Sequence, residues 1–394
     1  MNILFYCSEY PPYIAGGIGT VTKIVAEELV KRGHEVAVIG YYPDMADKFE
    51  QSIINGVKVI RHNLGLRNSK VKERIFIFLR TIGLSGVITK RELKFIEDKI
   101  YKYIADFNVD VLELTDYYSF TLCRSRLTFK RFPIPTILRI HGSVSFIQNL
   151  SGRGRPEYVE NDYGHFSRCD YISAVSQYSM SYVNDNFQFP ATKEWRVIYN
   201  PIKDSFLNAS TPQGGNSVLF IGKLTKTKGC DSLIKAFNNC AEEIPSLSLR
   251  FAGGGDIDRC LELVDNKFRD RVHFLGYCDR ETLEHEIDTC SFACIPSYFE
   301  NFSMVALEVM ARSKALIYTN RTSGPELIED GVDGFLVDPD DIDSIVEKIR
   351  LLSNDHVIRD RLAINGANTV KSRFTSSVIV NDLENFYEKV AYCK

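Results

Sequence analysis

The chain has 394 residues, 44% of them hydrophobic and 25% charged, with a formal net charge of -3. These values describe an ordinary globular protein with room for two domains and no global attraction to nucleic acid. No stretch reaches the roughly 18 uninterrupted apolar residues of a membrane-spanning helix. The first ten residues lack the basic start and long apolar run of a secretory signal. The ten cysteines are scattered without a Cys-x-x-Cys, and the seven histidines form no cluster. The expectation is a cytoplasmic protein with reduced thiols and no structural zinc.

In chain order, residues 3–7 read as a buried strand, followed by a long loop, a helix over 19–32 stopped by Gly33, and a strand over 35–39. That rhythm predicts a parallel sheet. Further strands are predicted at 57–61, 111–114, 136–140 and 171–174. Ligands of open parallel sheets bind beyond the carboxyl ends of the strands, so the loop 8–19 and His141 are expected at one edge. Near Asn200 the segment 200–216, NPIKDSFLNASTPQGGN, is rich in turn formers and marks a domain boundary. The alternation then restarts, with strands predicted at 218–221, 247–252, 272–274, 293–295, 316–318 and 335–337. A last helix is predicted over about 375–392. The fold class is therefore α/β, with two doubly wound domains.

The stretch PSYFENFSMVALEVMA, 296–311, carries the clearest chemistry. Glu300 sits on a loop that enters a helix at about Ser303, and Glu308 lies in a helix apolar on nearly every face. A buried carboxylate needs a partner: either ligand hydroxyls, such as those of a ribose, or an internal Arg or Lys. The helix start offers backbone N–H groups that suit a phosphate. Earlier, FIGKLTKTKG over 220–229 places Lys223, Lys226 and Lys228 on a loop after a strand, which suits a diphosphate or a solvated surface. AGGGD at 252–256, HFLGY at 273–277 and the turn 323–326 also follow strands and are expected on the same rim. In the first half, AGGIG at 15–19 precedes a helix. It allows close backbone approach by an anion, or merely a glycine turn. Its distance from the first strand argues against a dinucleotide fingerprint. Asp256-Ile257-Asp258 is a possible metal triplet, but it enters a helix whose first turn favours acidic residues in any case.

In this order and spacing, IGKLTKTKG, AGGGD, VHFLGY, PSYFENFSMVALEVMA and TSGPELIEDGVDGFLV resemble the family 4 glycosyltransferases. These are retaining enzymes of the GT-B fold with a Glu-x7-Glu motif. The resemblance covers nearly the whole chain and is strongest over 218–337. It implies two Rossmann-like doubly wound domains facing a central cleft. The first, 1–200, is the acceptor side, to which a helix at about 375–394 crosses back; the second, 201–374, binds the donor.

The resemblance also assigns roles. Lys223 and Lys228 match the basic pair that neutralises the donor diphosphate, although arginine is more frequent where this chain has Lys223, and lysine lacks the bidentate fork. Glu308 matches the glutamate on the ribose hydroxyls. Glu300 matches the one that approaches the donor sugar, with Asn301, Phe302, Ser303 and Met304 beside it. Ser303 stands where glycine is frequent. Gly16 and Gly17 match the loop near the phosphates and acceptor, His141 matches a histidine facing the donor sugar, and Gly222 and Tyr277 belong to the donor pocket. Gly324 and Glu326 shape that pocket, or Glu326 is a surface cap. Arg153 and Arg155 are candidates for an acceptor loop. The donor would be a nucleotide-diphosphate sugar, with no cofactor or metal expected.

Residues 67–94 hold eight basic and two acidic residues around an apolar run at 75–79. This segment either touches an anionic membrane, as a lipid-linked acceptor would suit, or packs on its own domain with a solvated basic face. The acceptor expected is a glycan or lipid-linked glycan, in surface polysaccharide biosynthesis, with the protein at the inner face of the cell membrane. The alternatives are a nucleotide-sugar epimerase of the same fold and a non-catalytic nucleotide-sugar-binding protein. Nucleic acid is not an expected partner.

Overall fold

The computed structural model describes residues 1–13, 16–116, 128–150, 154, 156–187, 194–207 and 216–392. The chain divides into two compact units, Met1–Pro201 with Ser376–Lys394, and Ile202–Thr375.

The first unit is built on an eight-stranded sheet. Its strands are β1 (Asn2–Tyr6), β2 (Glu35–Tyr41), β3 (Phe49–Ile54), β4 (Val57–His62), β5 (Val111–Thr115), β6 (Thr136–Ile140), β7 (Tyr171–Ala174) and β8 (Trp195–Val197), in the order β3-β4-β2-β1-β5-β6-β7-β8. All neighbours are parallel except β3 and β4. The central strands are buried on both faces, which is why they read as continuous apolar runs.

Two strands were not expected from the sequence. Strand β3, FEQSII, lies at an edge with every residue at least partly exposed, so it has no apolar run. Its signal is the Asn55-Gly56 turn, with φ of 49° and 84°, that closes a tight hairpin with β4. Strand β8 is only three residues long at the other edge. Helix α1 (Gly17–Lys31) packs against the sheet, while α2 (Lys70–Thr81) and α3 (Gly86–Asp106) connect β4 to β5.

The second unit has a six-stranded, wholly parallel sheet: β9 (Asn216–Ile221), β10 (Leu247–Ala252), β11 (Val272–Gly276), β12 (Phe292–Ile295), β13 (Ala315–Thr319) and β14 (Phe335–Val337), in the order β11-β10-β9-β12-β13-β14. Phe220, Phe251 and Phe292 from the sheet and Phe237 from the helix Cys230–Cys240 form the centre of its core.

The C-terminal helix Ser376–Tyr392 belongs to the first unit, where charge fixes it. Glu384 accepts from Arg32 at 2.9 Å and lies 2.6 Å from His34. Deeper in, Tyr387 donates its hydroxyl to Glu113 Oε2 at 2.6 Å, and both side chains are buried. Burial pushes the Glu113 carboxyl up, while Arg139 and the Tyr387 hydroxyl pull it down. Tyr387→Phe removes a donor from a buried carboxylate, so the chain should lose about 1–3 kcal/mol at neutral pH. Urea unfolding of both proteins measures it, and an unchanged midpoint would show that the bond contributes nothing net.

Candidate active site

In a doubly wound sheet a crevice opens where the winding reverses. In the second unit that point is between β9 and β12, because β9 has β10 on its other side. The two loops leaving this point are joined directly. Tyr298 N–H donates to the Thr227 carbonyl at 3.0 Å, and the Ser297 hydroxyl oxygen lies 3.4 Å from the Lys228 carbonyl. Gly229 permits the approach. It has φ +76°, and a Cβ there would stand 1.9 Å from the Pro296 carbonyl oxygen.

On this frame the Lys228 ammonium donates to Glu300 Oε1 at 2.6 Å, and the Ser297 hydroxyl donates to the same oxygen at 3.2 Å. The Glu300 backbone is held as well. Its N–H donates to Thr322 Oγ1 and its carbonyl accepts from the Ser323 hydroxyl, both at 3.2 Å. Thr322 occupies the left-handed region with φ 57°, a conformation costly for a β-branched residue, on the order of 1–3 kcal/mol. Surrounding structure fixes it there.

Ser303 accepts the Ala306 N–H at 3.2 Å and caps the helix Met304–Ala311, so the serine that departs from the family pattern has a local role. Phe302 is buried edge-on to Phe374, with ring centroids 5.8 Å apart; Asn301 and Met304 flank it, half-buried. Glu308, only 7% exposed, accepts from Arg280 at 2.8 Å. Burial raises its carboxyl pKa and Arg280 pulls it back. Of the two partners the sequence left open, the structure supplies the internal arginine, at the start of the helix Arg280–Thr289. Arg280 also stacks over the Phe206 ring at 4.0 Å.

Neighbouring loops are stitched to this centre. Gly222 N–H donates to the Ala252 carbonyl at 3.0 Å, Leu224 N–H to Gly254 at 2.9 Å, and Gly253 N–H to Gly276 at 2.8 Å. The expected rim therefore exists, with Lys223 and Lys226 exposed along it. Tyr277 follows β11 with its side chain 91% exposed. Gly324 begins a short turn of helix, and the Glu326 carbonyl accepts from Arg373 at 2.9 Å. Asp256 caps the helix Ile257–Leu263 by accepting from Arg259 N–H at 3.1 Å. Among the described residues no group of three or more His, Cys, Asp or Glu is arranged to hold a metal.

In the first unit the winding reverses beside β1, which β2 and β5 flank. Gly16 caps α1 in extended conformation without a side-chain bond, Gly17 opens the helix, and no acidic residue occupies its first turn. A Cβ on Gly16 would stand 2.3 Å from Glu9 Oε2. His141 follows β6, two strands from β1. Burial, with Arg139 adding, holds its imidazole well below the usual range, so it is neutral at pH 7. Its backbone is fixed by Asp116, whose two oxygens accept the N–H groups of His141 at 3.1 Å and Gly142 at 2.9 Å. Arg153 and Arg155 lie outside the described residues.

The sequence reading missed Arg280, Thr322 and Asp116. Arg280 follows an Asp279 that caps its helix, an ordinary surface pattern. Thr322 gave no signal, since the turn type that needs positive φ favours glycine or asparagine. Asp116 is an acidic residue directly after the buried strand β5, and that is a usable cue.

Comparison with known proteins agrees with this geometry. The family model for glycosyl transferases group 1 matches residues 203–369, and that for glycosyltransferase family 4 matches residues 15–206. An uncharacterized glycosyltransferase of Methanocaldococcus jannaschii is 27% identical over 98% of both chains. The capsular polysaccharide biosynthesis glycosyltransferase CapM of Staphylococcus aureus is 27% identical over 43% of this chain and 44% of its own. Among solved structures, sucrose-phosphate synthase from Thermosynechococcus elongatus superposes with TM-score 0.79 at 18% identity over the whole of both chains. Anabaena HepE in complex with UDP and glucose gives 0.70 at 16% identity over 99% of this chain and 100% of its own. Fold and family models thus define a GT-B glycosyltransferase. The chain belongs to glycosyltransferase family 4.

Asp116 offers a test of the first unit. Burial pushes its carboxyl up to about 7 against the two N–H donors, with Asp162 adding. An unfolded aspartate titrates near about 3.9. The folded state therefore keeps its proton between these values, and the associated stability is present in full below the lower one and is lost as pH rises through the upper. The stability difference between the wild type and Asp116→Asn should accordingly fall from pH 5 to pH 8, measured by urea unfolding. A difference constant over that interval would remove the titration.

Proposed function

We propose that this glycosyltransferase is a retaining enzyme that moves a sugar from a nucleotide-diphosphate sugar to a hydroxyl of a glycan or lipid-linked acceptor. The observation that carries the reading is the Lys228–Glu300 contact of 2.6 Å at the point where the second sheet reverses its winding. The likeness to HepE, whose structure holds UDP and glucose, supports a sugar-nucleotide donor. The likeness to CapM favours a role in surface polysaccharide biosynthesis. The place of action in this reading is the cytoplasm, at the inner face of the cell membrane. Among the described residues no helix is long and apolar enough to cross a membrane.

As the sugar–phosphate bond breaks, negative charge grows on the departing diphosphate. Lys223, Lys228 and the amide donors at the start of the helix Met304–Ala311 stabilise it. No metal takes part in this reading. Glu308 receives the ribose hydroxyls, with Arg280 giving ground on its exposed side. Glu300 is committed to Lys228 and Ser297 and serves to position rather than attack. The departing phosphate takes the proton of the acceptor hydroxyl on the face from which it leaves, which preserves the anomeric configuration. Neutral His141 is suited to a hydrogen bond with the donor sugar, Gly16 and Gly17 to close backbone approach, and Arg153 and Arg155 to the acceptor.

Thermal melts with UDP-, GDP-, ADP- and dTDP-sugars should show stabilisation by one nucleotide class, since a ligand bound only by the folded state raises apparent stability. Glu308→Ala should weaken that donor roughly tenfold to a hundredfold, as expected for losing hydrogen bonds to a charged group. Lys228→Ala should lower turnover by roughly a hundredfold or more and affinity by less. If both variants bind and turn over as the wild type does, the donor site lies elsewhere. NMR of the product's anomeric proton decides retention against inversion.

A further inference from the structure

Helix α2 is joined to its unit by few side chains and shows an apolar face to solvent. Phe76 is its one fully buried side chain among the described residues, stacked under the Arg67 guanidinium at 4.4 Å. Arg67 in turn donates to the buried Glu92 of α3 at 2.9 Å. On another side, Val71, Ile75, Phe78 and Ile82 are between 49% and 67% exposed. Their spacing of four, three and four places them within about 60° of arc along the helix. Leu84 and Val87 extend the apolar surface through the turn into α3, at 62% and 72% exposed.

The segment 67–94 thus has two apolar directions, one buried and one open. A solvated basic face alone does not account for the second. A short helix held at a single core contact is marginal in water, and an exposed apolar stripe adds to that cost. Charge identifies what would cover it. Lys70 and Arg74 border the stripe on one side. Lys72 borders it on the other, with its ammonium on the Gly65 carbonyl at 2.8 Å and Asn68 at 3.0 Å. Lys90, Arg91 and Lys94 are exposed on α3. The two acids of the segment turn inward, Glu92 to Arg67 at 2.9 Å and Glu73 towards Arg67 at 3.9 Å. The outward surface is therefore cationic in a chain whose net charge is -3.

We infer that the α2–α3 surface docks on an anionic phospholipid bilayer. The stripe from Val71 to Ile82 enters the boundary between headgroups and acyl chains, and the flanking cations lie at phosphate level. Helix α2 lies along the membrane plane rather than across it. The inference concerns the first unit alone and is independent of the donor-site reading.

The test is flotation of the full chain with vesicles of phosphatidylcholine containing phosphatidylglycerol, against vesicles of phosphatidylcholine alone. The wild type should float with the anionic vesicles and be released by high salt. Ile75→Ser with Phe78→Ser should weaken partition by at least about tenfold, from the loss of buried apolar area. Lys90→Ser with Arg91→Ser should weaken it by about fivefold per cation while leaving the stripe intact. All four side chains are exposed, so the variants should melt with the wild type; a lowered melt in one pair leaves the other to decide. The proposal is overturned if the wild type ignores anionic vesicles, or if it binds both compositions alike. It is also overturned if sedimentation velocity shows a self-associated protein that the Ile75→Ser, Phe78→Ser pair makes monomeric, since a second copy then covers the stripe.

Discussion

The second unit of this protein depends on a constraint of geometry: two loops must leave adjacent parallel strands at the point of reversed winding and still touch. There a cation from one loop and a carboxylate from the other meet at 2.6 Å, as Lys228 and Glu300 do. Gly229 makes the approach possible by omitting a Cβ that would strike Pro296. A lysine ammonium carries three donors, and Glu300 takes one of them. The carboxylate thus aims the cation without exhausting it. Thr322, strained at φ 57°, and Ser323 fix Glu300 through its backbone, so the pair sits on rigid supports rather than on two independent side chains.

Glu308 obeys a different economy. It lies in the buried stretch Ala306–Ala311 of its helix, where water has little access, and its charge is tolerable because Arg280 reaches it from a separate helix. That arginine is itself partly exposed and stacked on Phe206. It can swing outward at modest cost, whereas Glu308 cannot move without disturbing the core. A fixed acceptor beside a movable cation is an arrangement that lets ligand hydroxyls replace an internal partner. A buried pair locked on both sides would have no such freedom.

The parallel strands were legible because burial on both faces writes them as apolar runs, such as NILFY and TILRI. Strand β3 escaped because an edge strand needs no such run; its only mark was the Asn-Gly turn. Site residues contributed by loops after strands could be ranked by charge and glycine content. Arg280 could not, since its significance arises from the distance between two helices that sequence spacing does not encode. Asp116 is intermediate. Its position after β5 was visible, but its grip on the His141 and Gly142 amides follows from β5 and β6 being neighbours.

The first unit shows the same separation between what packing requires and what it leaves over. Its sheet and α1 can be explained by burial, and the C-terminal helix by the Tyr387–Glu113 bond and the charges on Glu384. Helix α2 cannot be explained in that way. Its stripe of Val71, Ile75, Phe78 and Ile82 has the regularity that packing normally imposes, yet among the described residues all four side chains are left at least 49% exposed. The acids of the segment are drawn inward by Arg67, which leaves its cations to face outward with the stripe. If the helix existed only to cover its own domain, polar residues at those four positions would serve better and Phe76 alone would need to be apolar. The sequence instead sustains two faces on one short helix, and a surface that is apolar within and anionic at its border, as the proposed bilayer is, would satisfy both.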